Sequence, residues 1–323
     1  MKFRSEIEIP EIPVKIGCQN PLIMLGSCFT ENIGSYLEQH LFNVSVNPFG
    51  VIYNPISIRN AIEALMHKQN YTAEDLDRHN ELWFSFDHYT KFSDPDQQEA
   101  LRKINDAFTK AKSLFAESDR MILTFGTAYI YALKENGRIM NNCHKIPARE
   151  FDRRRLTIHD ISVAYTDLIE KLLTWRPEMK LLFTVSPVRH LKDGFIENQR
   201  SKSTLLLAID DLVNAFPESC GYFPSYEIMM DDLRDYRFYA DDLVHPNEPG
   251  MTYISELFRD HCLDEQARLA TRKIDPLIRA LNHRPTHAHT EAYRKFRDQT
   301  NEKARKLKND FPFLQWSKIE YLL

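Results

Sequence analysis

Residues 22–34 read LIMLGSCFTENIG. Leu22 to Leu25 make a short unbroken apolar run, the pattern of a strand buried on both faces. Gly26 ends that run, and apolar Ile33, Tyr36, Leu37 and Leu41 then recur at helical spacing. The stretch predicts a strand over 20–25 that turns into a helix over 30–41, with Ser27 and Cys28 side by side at the elbow. A small hydroxyl there can be an exposed nucleophile. It can equally be the cap of the helix that follows, because serine is a favoured N-cap.

The same alternation continues downstream. Apolar runs predict strands over 42–50, within 120–131 stopping at Gly126, within 179–190 ended by Ser186-Pro187, and over 220–231. Helices are predicted over 55–67, with Pro55 at the first helical position, and over 94–119. Further helices are predicted over 157–174, where Thr157 and Asp160 have capping spacing, over 201–216 and over 251–264. The aromatic, alternating segment LWFSFDHYTKF, 82–92, reads as extended chain or a hairpin. Continuous apolar strands separated by helices predict an α/β fold with a parallel sheet covered on both faces. Sites in such sheets lie at the carboxyl ends of the strands. The polar motifs fall there: Gly26-Ser27, Asn47 to Gly50, Gly126-Thr127, Ser186-Pro187, and the loop DDLVH over 241–245.

Of the 323 residues 43% are apolar, enough for a sizeable core, and the net charge of −4 gives no reason to expect a nucleic-acid partner. The start, MKFRSEIEIPEIPVKIG, has acidic residues and prolines where a signal peptide needs an apolar centre. No run approaches the roughly 18 apolar residues of a membrane span, so a cytoplasmic location without a membrane partner is expected. Cys18, Cys28, Cys143, Cys220 and Cys262 are scattered and form no CxxC pair, which argues against a disulfide framework or structural zinc. His283, His287 and His289 lie around Pro285, which breaks any helix that would pair them, so no metal is expected. The domain reading is a core over 1–265 and a helical appendage over 266–323. From Arg268 to Lys308 there are twelve Lys/Arg against four Asp/Glu, read as a solvated helix face. The apolar stretch FPFLQWSKIEYLL, 311–323, docks the appendage on the body.

A serine needs a base within hydrogen-bond reach, and histidine fixed by a carboxylate is the usual one. Asp242 and His245 have the D-x-x-H spacing that supplies both from one loop; Asp241 is the alternative carboxylate. Ser27 follows the first predicted strand and His245 follows the last, which puts both on one rim of a parallel sheet. Cys28 is the more reactive atom, yet at a strand-to-helix turn it is expected to point towards the core. Arg189, at a strand end in SPVRH, fits either an anionic substrate group or a structural salt bridge. His88 in FDHYT and His144 in NNCHK fit either a pocket lining or a structural role.

The motifs GSCFT, ENIG, NPFGVIYNP, TFGTAYIY, TVSPVRH, SKSTL, YFPSYEIM and DDLVHPN follow one another over roughly residues 20–258. Together they resemble the GSCFA-domain family, which itself resembles the SGNH/GDSL esterase-lipase superfamily. The resemblance implies a flavodoxin-like three-layer α/β/α sandwich and a cofactor-free Ser-His-Asp site. In that site Ser27 is the nucleophile, His245 the base and Asp242 its orienting carboxylate, and the Gly50 backbone N–H helps hold the oxyanion. The superfamily's third block carries Gly-x-Asn-Asp, whereas this chain has Gly126-Thr127-Ala128-Tyr129. Asn47, Asn54, Thr127 and the His144 region are the candidates to replace the missing asparagine. The expected function is a serine-type hydrolase of a small-molecule or carbohydrate ester, with 82–92 as a wall against the sugar. Acyl transfer by the same residues and a non-catalytic glycan- or protein-binding module are the alternatives; the sequence leaves the oligomeric state open.

Overall fold

The computed structural model describes residues 4–283, 285–287 and 289–320. In chain order the first elements are β1 (Leu22–Gly26), α1 (Cys28–Gln39), β2 (Val44–Val46), α2 (Pro55–His67), β3 (Asp77–His79), β4 (Leu82–Phe84) and α3 (Gln97–Glu117). Next come β5 (Arg120–Phe125), β6 (Tyr129–Leu133), β7 (Ile139–Met140), β8 (Phe151–Arg155), α4 (Ile158–Trp175) and β9 (Lys180–Val185). The chain continues through α5 (Gly194–Ala215), β10 (Cys220–Phe223), α6 (Ser225–Glu227), α7 (Glu248–Cys262), α8 (Glu265–Leu281) and α9 (Glu291–Asp310).

Five strands pair in the order β2-β1-β5-β9-β10, all parallel. Counting only these five, the order is that of a flavodoxin-like doubly wound sheet. The winding reverses between β1 and β5, and that reversal opens a crevice at their carboxyl ends. Successive side chains leave a strand on opposite faces. Ile23, Leu25, Leu123, Phe125 and Phe183 accordingly pack with α2, α3, α4 and α5. Leu22, Met24, Ile122 and Leu182 pack with α1, α7, α8 and α9 on the other side. The result is a three-layer α/β/α sandwich, and double coverage is why the strands read as unbroken apolar runs.

The segment expected as an appendage is packed into this second helical layer. Ile274 and Leu277 of α8, Leu307 of α9, and Phe311, Leu314, Trp316 and Ile319 share one buried cluster with Leu22 and Met24. Residues 321–323 of that segment lie outside the described residues.

Three strand boundaries differ from the sequence reading, each for a local reason. The ladder of β2 stops at Val46 because Asn47 turns to a φ of 45°. The strand in 120–131, by contrast, stops at Gly126 as expected, where the N–H groups of Gly126 and Thr127 both donate to the Tyr53 carbonyl. The chain then enters a separate antiparallel sheet, β7-β6-β8. β10 ends at Phe223, because Pro224 has no N–H to continue the ladder, and residues 225–232 wind into helical turns. Within 82–92 only β4 pairs, antiparallel to β3 across Asn80 and Glu81, both at positive φ; Thr90–Phe92 form a short 3-10 turn. Similarly, α5 begins at Gly194, ahead of the expected 201. Among the described residues no helix is long and apolar enough to cross a membrane.

Trp316 is buried, and its indole N–H donates to the Phe311 carbonyl at 2.8 Å. Trp316→Ala is expected to lower the unfolding free energy by about 3 kcal/mol, seen as an earlier midpoint of a single urea transition. A loss under about 1 kcal/mol, or a separate transition for the C-terminal helices, would show that they are not part of this core.

Candidate functional site

The site starts at the elbow after β1. A Cβ on Gly26, at a φ of 150°, would sit 2.3 Å from the Thr124 carbonyl oxygen and 2.7 Å from Thr30 Oγ1, so only glycine fits. The next residue turns inward. Ser27 is fully buried, and its Oγ accepts the Phe29 backbone N–H at 3.3 Å as the N-cap of α1. Its carbonyl accepts the Thr30 N–H at 2.9 Å. Cys28, the first residue of α1, turns outward and is partly exposed at the crevice.

The D-x-x-H loop closes over the same crevice. One Asp242 oxygen accepts the backbone N–H groups of Val244 and His245, each at 2.9 Å. The other accepts from His245 Nδ1 at 2.6 Å. These donors, the backbone pair foremost, hold the Asp242 carboxyl down at about 2, so it is ionised at neutral pH. In a neutral imidazole, giving Nδ1–H to Asp242 leaves the lone pair on Nε2. That nitrogen lies 3.8 Å from Cys28 Sγ. The expected pairing of His245 with Ser27 is therefore corrected: the serine hydroxyl serves the helix cap, and the cysteine faces His245. Asp241 is exposed, and the contact to His245 is made by Asp242. Burial, and after it the Glu31 carboxylate, push the Cys28 thiol pKa up; the Phe29 and Cys28 N–H groups and the Lys202 ammonium pull against them. The resting group is thus a thiol.

Cys28 and His245 line a cavity of about 450 Å³ at the reversal point of the sheet. Tyr53 and Asn54 line it from the loop before α2, Tyr129 and Tyr131 from β6, and Arg189, His190 and Lys192 from the segment after β9. Two of the residues expected to replace the missing asparagine are here. Asn54 Oδ1 accepts the Ser57 N–H at 2.8 Å, capping α2, and Nδ2 donates to Ser57 Oγ at 2.9 Å. That bond uses one of its two amide hydrogens. The Thr127 hydroxyl lies 3.1 Å from that of Ser201 and accepts the Tyr129 N–H at 3.2 Å.

The other expected residues lie away from the cavity lining. Asn47 is buried, and its Oδ1 accepts the Gly26 N–H at 2.9 Å. The Gly50 N–H donates to the Asn47 carbonyl at 2.7 Å, so this amide is spent inside a turn and is not free for an oxyanion. His88 is buried among Phe49, Tyr71 and Phe92. Burial pushes its pKa down to about 4, leaving a neutral core imidazole. His144 stacks on Phe84, and its Nε2 donates to the carbonyls of Ser85 at 3.0 Å and His88 at 3.1 Å. No residue of 82–92 lines the cavity; its aromatic wall is Tyr53, Tyr129 and Tyr131.

Two residues that sequence reasoning passed over stand close to Cys28. His190 meets Tyr53 edge-on, 5.1 Å between ring centres. Burial, then Lys202 and His245, hold its imidazole down at about 4. Lys202 is fully buried on α5 and donates to the carbonyls of Gly126 at 2.8 Å and Ser186 at 2.7 Å. It thereby ties together the chain just beyond β5 and β9. Both residues were visible only as letters within TVSPVRH and SKSTL. Among the described residues no group of His, Cys, Asp and Glu could hold a metal ion.

Burial lowers the Lys202 pKa from 10.5 to about 7. Between those values the unfolded chain holds a proton that the folded chain has released, so this residue's contribution to stability rises with pH. The Tm difference between wild type and Lys202→Met is expected to shift in favour of wild type from about pH 7 to about pH 10. A difference that stays flat over that range would contradict the depressed ammonium.

The model of the GSCFA family matches residues 21–258, and that of the GSCFA domain protein, C-terminal domain, matches residues 274–322. No curated protein and no solved structure matches the chain.

Proposed function

The chain belongs to the GSCFA family, and we propose that it hydrolyses acyl esters through Cys28, with His245 as general base and Asp242 orienting it. The observation that carries this reading is the alignment of Cys28 Sγ, His245 and Asp242 at 3.8 and 2.6 Å on the rim of the sheet. A thiol whose pKa is raised by burial needs a base, and His245 Nε2 is the base in contact with it.

In the first half-reaction His245 Nε2 takes the Cys28 proton as the sulfur attacks the ester carbonyl carbon. The tetrahedral oxyanion collapses and the carbon–oxygen bond breaks. The leaving alcohol takes the proton from His245, and a thioester remains on Cys28. In the second half-reaction His245 deprotonates a water that attacks the thioester. The acid leaves, and the proton returns to the sulfur. Asp242 stabilises the imidazolium in both halves.

The Cys28 N–H is a first-turn donor with no acceptor inside its own helix, at the positive end of the α1 dipole. It is the natural partner for the oxyanion. The second amide hydrogen of Asn54 supplies the donor that Gly126-Thr127-Ala128-Tyr129 lacks; one such donor is worth about a hundred- to thousandfold in rate. Gly50 has no part in this scheme.

Acyl transfer is favoured as a second reading by a neighbouring cavity of about 470 Å³. It is lined by Asp242 and Val244 and shares Arg189 and Leu191 with the first. An alcohol held there would take the place of water in the second half-reaction.

Cys28→Ala is expected to abolish turnover of a short-chain p-nitrophenyl ester. Ser27→Ala is expected to keep it, while losing about 1 kcal/mol of stability with the cap. Turnover that survives Cys28→Ala and disappears in a folded Ser27→Ala protein would sink the assignment. Formation of a new ester in the presence of added alcohols would identify transfer.

A further inference from the structure

The charges around Cys28 are unevenly partnered. Arg153 makes a two-point ion pair with Asp193 and is thereby neutralised. Asp242 is committed to His245. Arg189 and Lys192 line the same cavity, and among the described residues neither has a carboxylate within ion-pair distance. Arg189 donates from Nε and Nη2 to the thioether sulfur of Met230, at 3.2 and 2.9 Å. Its guanidinium also lies 5.7 Å from the centre of the Phe195 ring. A thioether is a weak acceptor, so a five-donor fork is left under-satisfied there. Lys192 donates to the Tyr131 hydroxyl and lies 5.0 Å from the centre of that ring. The salt bridge considered for Arg189 is therefore absent among the described residues, and two cations face a cavity walled by tyrosines.

We propose that the acyl substrate carries an anionic group, a carboxylate or a phosphate, which Arg189 and Lys192 hold while its reactive carbonyl lies at Cys28. This rests on the reading of Cys28 as the nucleophile. The planar guanidinium matches two oxygens of either anion, and Lys192 adds a mobile point charge. Arg189 borders both cavities, so an anion bound to it sits where the two meet and fixes which part of the substrate enters each.

The test compares alkylation of Cys28 in the full chain by iodoacetate and by iodoacetamide. Both form a carbon–sulfur bond and expel iodide, and they differ in charge. Rates are read by mass spectrometry on the Cys28 peptide, and their ratio is normalised to that of glutathione. The wild-type ratio of iodoacetate to iodoacetamide is expected to exceed that of glutathione by about tenfold. It is expected to fall most of the way back in Arg189→Met and to a smaller extent in Lys192→Met. Dividing by the iodoacetamide rate removes any general change in thiol reactivity. A wild-type ratio equal to that of glutathione, or one unchanged in both variants, overturns the anion site and leaves the Cys28 reading standing. A folded wild type in which Cys28 reacts with neither reagent removes both. Inorganic phosphate and succinate are then added as competitors. Slowing of the iodoacetate reaction by either one supports the site and names the oxyanion, and slowing by neither counts against it.

Discussion

The hydrogen bond from the Phe29 amide to the Ser27 hydroxyl governs what the end of β1 presents to the crevice. Gly26 lets the strand lie hard against Thr124 and Thr30, and the cap then draws the serine side chain into the helix start. Neighbouring residues on a helix point about 100° apart. Once the serine is turned in, the cysteine is turned out. The same junction leaves the Cys28 N–H, the first of α1, with no acceptor inside its own helix, beside a sulfur that faces His245. The sheet order supplies the crevice, the glycine permits the elbow, and the cap selects the side chain.

The three members of the constellation live in different dielectric surroundings. Asp242 is held by backbone donors on an exposed loop and stays ionised. Cys28 is drawn towards its neutral form by burial. His245 bridges the two, meeting Asp242 through Nδ1 and Cys28 through Nε2. Beneath them, Lys202 donates to the carbonyls just after two neighbouring strands. Close to its folded pKa it can serve that structural role as an amine as well as an ammonium. Stiffness below and charge above are thus supplied by separate residues.

Much of this was legible in the sequence, for identifiable reasons. Doubly covered strands leave unbroken apolar runs such as LIMLG and RMILTF, and the helices carry their caps with them at Asn54 and Thr157. The D-x-x-H loop is local, so Asp242 and His245 could be named together. The choice between Ser27 and Cys28 could not be read in the same way. At the elbow the side-chain period changes from two to 3.6 residues, and the phase of the helix relative to the strand is set by a φ angle and a cap. Gly50 failed for a related reason, since its N–H is consumed by a turn that only coordinates reveal. Lys202 was unreadable because its burial depends on two carbonyls far away in sequence, and a lysine between serines on a helix reads as solvated.

The second helical layer has a consequence for how the chain acquires this site during synthesis. Leu22 and Met24 share their cluster with Leu314, Trp316 and Ile319, which emerge nearly three hundred residues later. Until then this face of the sheet lacks that part of its cover, and folding that depends on such distant contacts is slow. A ribosome-bound chain that already carries Cys28 and His245 therefore exposes an apolar sheet face, the kind of surface that chaperones hold. Maturation of the thiol site is tied to the arrival of helices that contribute nothing to its chemistry.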